Sequence, residues 1–124
     1  MAFNQLNSKK IGEIKVAYVY LLIAIIGEVA ATSALKASNG FTQLTPSLIV
    51  AVGYGIAFYF LSLVLKSIAV GIAYAIWAGL GIVLVALLGA MLYKQVPDFA
   101  AVLGMAFIVV GVIIIHLFSS TLIH

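Results

Sequence analysis

Residues 18–32 read YVYLLIAIIGEVAAT, an almost unbroken apolar run with a single carboxylate, Glu28, set inside it. The run is as long as a bilayer is thick. A hydrocarbon core of about 30 Å takes about 20 helical residues at a rise of about 1.5 Å each, and the chain supplies four such runs. With 66% hydrophobic and 7% charged residues in 124, and a mean hydropathy of +1.34, a soluble domain is excluded. The fold class is an all-α integral membrane protein.

Four transmembrane helices are expected at about 15–35, 46–66, 70–93 and 98–119, forming one transmembrane domain over 15–120. The first carries Tyr18 and Tyr20 where an interfacial aromatic belt would sit. Thr45-Pro46 reads as an N-cap followed by proline in the first turn of the second helix, and Pro97-Asp98 as the corresponding pair before the fourth. Residues 1–14 form a polar N-terminal tail by this reading, and 121–124 a short C-terminal one. The tail resembles the charged start of a signal peptide, but the run after it is too long, lacks a cleavage pattern and contains Glu28, so it is read as retained.

The chain has no cysteine, which removes disulfide and thiol chemistry. His116 is the only histidine inside a span and has no partner at ligand spacing, so no metal and no cofactor are expected. No nucleophile, base or metal constellation accompanies Glu28, which argues against an enzyme. The net charge of +3 comes from six scattered lysines, giving nucleic acid no patch to bind. With the N-terminus inside, Lys9, Lys10, Lys15 and Lys66 fall on the cytoplasmic side, and Lys36 and Lys94 outside. Most of that bias lies in the tail, and the loops alone carry almost no orientation signal.

Glu28 is the only acid within a span. Placing an ionisable group near the bilayer centre costs roughly 3 kcal/mol on insertion scales, so it should face protein or a water-filled cavity. One reading makes it a neutral, hydrogen-bonded glue between helices. The functional one makes it a proton or cation site. Apolar surroundings disfavour the charged form of a carboxyl group, whereas a neighbouring cation favours it. Competition of a proton and a cation for one carboxylate is therefore a rudimentary exchanger. A passive ion or small-solute channel lined by Glu28 is an alternative.

At 100° per residue Leu21, Ala24, Glu28 and Thr32 share a face, with Tyr18 at its flank. Tyr54 and Phe58 are four apart on the second helix and Tyr74 and Trp77 three apart on the third, so each pair forms an aromatic patch. Three helices are expected to converge on one cavity. Aromatic faces attract cations by roughly 0.5–2 kcal/mol and shelter apolar substituents, which suits lipophilic and quaternary ammonium ions. Gly79 and Gly81, directly after Trp77, propose a hinge. Gly104 and Gly111 lie seven apart on one face of the fourth helix and read as an association surface. A transporter needs two halves around a central site, and only one is present, so a homodimer is expected, with an antiparallel pair supplying the inverted repeat.

These residues resemble the small multidrug resistance family. The matching stretches are GEVAATSALKASNGFTQLTPS around Glu28, GYGIAFYFLS around Tyr54 and Phe58, GIAYAIWAGLGIV around Trp77, and LGMAFIVVGVIIIH in the last helix. They cover about residues 17–120. The resemblance implies a dual-topology, antiparallel homodimer in the bacterial inner membrane, exporting cations in exchange for protons. It implies Glu28 as the shared proton and substrate site, Tyr74 and Trp77 as substrate-contacting aromatics, and Tyr54, Phe58 and Tyr18 as further lining. It also implies a kink near Gly79–Gly81 and a dimer face at Gly104 and Gly111. Guanidinium exporters of the same family typically carry a tryptophan shortly after the glutamate. Here Val29, Ala30 and Ala31 follow, which favours the multidrug subtype. Ala78 departs from the pattern, standing where many relatives have a hydroxyl residue.

Overall fold

The computed structural model describes residues 2–118, with side chains described from Ser8 onward. Four helices follow in chain order: α1 (Ala2–Ala37), α2 (Leu44–Val64), α3 (Val70–Tyr93) and α4 (Phe99–Phe118). Each is long and apolar enough to cross a membrane. The C-terminal tail at 121–124, including His124, lies outside the described residues.

The N-terminal segment differs from the tail read off its polarity. It is helical from Ala2 and continuous with α1. Polarity says where the hydrocarbon ends and nothing about where the helix ends. Residues 2–15 contain no proline, include three lysines with one each of Gln, Leu and Glu as good helix formers, and carry one glycine, Gly12, which costs a helix only about 1 kcal/mol. The cap expected at Thr45 is also displaced. Gln43 is the N-cap of α2, with no side-chain hydrogen bond, and its carbonyl accepts from Ser47 N–H at 3.1 Å. Thr45 and Pro46 thus both lie in the first turn, where proline's missing N–H is not needed. At α4 the expected cap forms: Asp98 Oδ1 accepts from Ala101 N–H at 2.9 Å.

Between α1 and α2 the chain reverses through Asn39, Gly40 and Phe41, all left-handed. Ser38 anchors the reversal: its buried hydroxyl donates to Leu35 O at 2.7 Å and accepts from Phe41 N–H at 3.2 Å. Lys94, left-handed at φ 56°, closes α3.

Helices in lipid gain little from hiding apolar surface from one another, so close packing and hydrogen bonds must hold them. The α1–α2 pair uses small residues at a spacing of four on each helix, Gly27 with Ala31 and Gly53 with Ala57. A Cβ added at Gly53 would lie 2.7 Å from Gly27 O and 2.8 Å from Ala31 Cβ, and one at Gly27 would lie 3.0 Å from Gly53 O. Ala31 and Ala57 are fully buried. Larger side chains fill the seam toward the N-terminal end of α1, where Ala17, Leu21 and Ile25 pack in one cluster with Val64 and Ile68. On α3, Ala73, Ile76 and Trp77 join this core. The α4 helix has no buried residue, and a Cβ added at Gly104 or Gly111 would meet nothing within 4 Å in this chain.

Gly53→Ala should therefore lower the thermal unfolding midpoint of the purified protein in detergent. Overpacking of about 1–3 kcal/mol outweighs the helix-propensity gain of about 1 kcal/mol. Gly55→Ala, where an added Cβ meets nothing within 4 Å, should hold or raise it. A Gly53→Ala midpoint at or above wild type would contradict the close approach.

Candidate functional site

Gly27 and Gly53 are each followed by a polar side chain, Glu28 and Tyr54, and the close approach of the two backbones brings these within one hydroxyl of each other. Thr32, one turn beyond Glu28 on α1, bridges them. Its Oγ1 donates to Glu28 Oε1 at 2.6 Å and lies 2.7 Å from the Tyr54 hydroxyl. A threonine hydroxyl has one hydrogen. While it is given to Glu28, Tyr54 must donate to Thr32, so the chain runs Tyr54 to Thr32 to carboxylate. With a proton on Oε1 every donor in it can reverse. The hydroxyl that orders Glu28 in this protein is thus on its own helix, while Ala78 contributes only a methyl group to the cavity wall.

The other carboxylate oxygen, Oε2, faces α3, where a Cβ on Gly81 would stand 3.5 Å from it. Glu28 opens onto a cavity of about 450 Å³ whose walls include Tyr54, Phe58, Tyr74, Trp77 and Gly81. The rings form a continuous series across two helices: Tyr54 stacks on Phe58 at 6.2 Å, Phe58 meets the edge of Trp77 at 6.0 Å, and Trp77 meets Tyr74 at 6.2 Å. Trp77 is 9% exposed, whereas Phe58 is 59% and Tyr74 66% exposed. The series therefore runs from a packed indole to rings that stand free at the open side. One half-buried acid and four rings can bind a cation with apolar substituents by charge and by ring faces together.

The three helices expected to converge do so, but not every expected residue reaches the cavity. Leu21 and Ala24 are buried in helix packing and do not line it. They share Glu28's face but lie about 10 and 6 Å along the helix axis from it, so equal azimuth does not bring equal depth. Thr32, also expected in the lining, holds Glu28 without being one of the walls itself, and Tyr18 lies farther along α1 than Leu21. Its hydroxyl is 3.3 Å from His116 Nδ1 on α4, and the two rings meet edge to face at 5.6 Å. Leu61, Ala78, Ile82 and Val85 complete the lining. The sequence signal for them was helical spacing: 54, 58 and 61 on α2, and 74, 77, 78, 81 and 85 on α3, each follow one stripe.

The α3 helix is continuous through Gly79 and Gly81. In this chain the two glycines make room. Gly81 leaves space beside the carboxylate, and Gly79 admits α4, because an added Cβ would collide with Val112. Gly79→Ala should loosen α4 and lower the detergent unfolding midpoint, and adding Val112→Ala should recover part of the loss. Equal midpoints for the single variant and wild type would contradict this contact.

The family model described as Small Multidrug Resistance protein matches residues 16–108. Quaternary ammonium compound-resistance protein QacF of Klebsiella aerogenes is 58% identical over 107 residues, 86% of this chain and 97% of that protein. QacE of Escherichia coli is 55% identical over the same shares. Multidrug resistance protein EbrA of Bacillus licheniformis is 42% identical over 100 residues, 81% of this chain and 95% of that one. With three spans and half of the fourth inside the match, and relatives of this identity along nearly their whole length, the chain belongs to the small multidrug resistance family.

Proposed function

We propose that this protein is a proton-coupled antiporter that exports lipophilic or quaternary ammonium cations across the bacterial inner membrane. It works as an antiparallel homodimer in which Glu28 of each protomer binds proton and cation by turns. The observation that carries this reading is the placement of Glu28, the only acid within a span, at a cavity walled by four aromatic rings. The relatives' names point to the same cargo, since QacF and QacE are described as conferring resistance to quaternary ammonium compounds.

In the loaded state the carboxylates are ionised and the cation rests between them and the rings. When the dimer has opened to the other side, protons neutralise the carboxylates and the cation loses its counter-charge. Exchange of two protons for one monovalent cation moves one net charge, worth about 2.3 kcal/mol per 100 mV beyond the pH gradient. An antiparallel partner supplies the inverted half that alternating access uses. It also covers α4, whose Gly104 and Gly111 are unpartnered in the protomer.

The test is binding of tetraphenylphosphonium to purified protein across pH, with proton release recorded on the same samples. Wild-type binding should rise with pH and release protons, and Glu28→Gln should abolish both. Thr32→Val removes the hydroxyl that holds Glu28 Oε1 and should weaken binding relative to wild type at the same pH. PH-independent binding, or binding retained by Glu28→Gln, would contradict the proposal, and binding of guanidinium alone would favour the guanidinium subtype.

A further inference from the structure

A second cavity, about 550 Å³ in volume, lies where the start of α1's membrane span meets the end of α2. It is built from two facing stripes. From α1 come Glu13, Val16, Ala17 and Tyr20, spaced as one helical face, and from the end of α2 and its turn come Leu63, Lys66 and Ser67. The lining thus carries one carboxylate, one ammonium and the hydroxyls of Ser67 and Tyr20 above apolar walls.

Its depth in the membrane follows from the helix lengths. The apolar part of α2 ends at Val64, which puts Lys66 and Ser67 just past the hydrocarbon. The helix that holds the membrane-spanning part of α1 runs over 30 residues, Ser8–Ala37, of which a bilayer core takes about 20. Counting back from Ala37 leaves the turn that holds Glu13 at headgroup level, on the same side as Lys66. The family match begins at residue 16, so Glu13 belongs to the part of the chain that precedes the match.

We propose that this cavity binds a membrane phospholipid whose head carries both a primary ammonium and a phosphate. The ammonium pairs with Glu13, and the phosphate with Lys66 and the Ser67 hydroxyl. Val16, Tyr20 and Leu63 take the first part of an acyl chain. The pair of opposite charges selects the head. A net-anionic head brings no cation to Glu13 and is repelled by it, and a trimethylated ammonium cannot donate the charge-assisted hydrogen bond that a primary one gives. The apolar walls select a lipid over its water-soluble head. This site is separate from the Glu28 cavity and independent of the transport reading.

The experiment is native mass spectrometry of the detergent-purified protein with phosphatidylethanolamine, phosphatidylcholine and phosphatidylglycerol of matched acyl chains. Wild type should retain phosphatidylethanolamine over each of the others by roughly tenfold, about 1.4 kcal/mol. Glu13→Gln should abolish the preference over phosphatidylglycerol, and Lys66→Gln should lower retention of phosphatidylethanolamine and phosphatidylcholine together. Equal wild-type retention of the three lipids would overturn the proposal whether or not the variants fold. So would folded variants that keep the wild-type ranking, or displacement of the lipid by soluble phosphoethanolamine at equal concentration.

Discussion

The close approach of α1 and α2 at Gly27 and Gly53 is the constraint on which the candidate site depends. Side chains at either position would push the backbones apart, since added Cβ atoms would stand 3.0 Å or less from the facing carbonyl oxygens. The residues next in sequence, Glu28 and Tyr54, are carried together by the same contact. One threonine hydroxyl then suffices to join them. The packing motif and the polar chain are therefore one device: the glycines set the distance, and Thr32 uses it to hold one oxygen of the carboxylate. The other oxygen is left toward the cavity.

On α3 the same economy of volume recurs. Gly81 leaves space beside Glu28 Oε2, and Gly79 gives Val112 of α4 a place to sit. Trp77, between them and Tyr74, is packed tightly enough to fix the middle of the aromatic series, while Phe58 and Tyr74 remain open to whatever enters. At the far end of α1, the Tyr93 hydroxyl donates to Ser33 O and Lys36 lies 5.5 Å over the Tyr93 ring. These contacts tie α3 to α1 beyond the site. The cavity is thus held from both ends while its open side stays unfilled.

Much of this was legible in the sequence because the membrane simplifies the reading. Length and hydropathy located four spans, and a lone acid within one of them could only face protein or water. Helical spacing paired Tyr54 with Phe58 and Tyr74 with Trp77. What escaped was whatever depended on distance between helices. Periodicity gives the azimuth of Leu21 and Ala24 but not their depth, so they were expected at the cavity and lie instead in the packed seam. Gly27 and Gly53 drew no notice because a glycine in a membrane helix is common, and its meaning lies in what stands opposite. Thr32 was placed on the right face, but its bridge to Tyr54 needed the second helix in position. The extension of α1 was hidden for another reason: polar residues mark the membrane edge and are silent on where the helix stops.

The central claim is that a proton gradient drives the cation through this site. Its most direct test is uptake of a radiolabelled quaternary ammonium ion into vesicles containing only this protein, with an acidic interior and no cation gradient at the start. The account predicts accumulation above the outside concentration, collapsing when an ionophore dissipates the pH difference. Uptake that stops at equal concentrations, with or without the gradient, would contradict it and leave a passive pathway in its place.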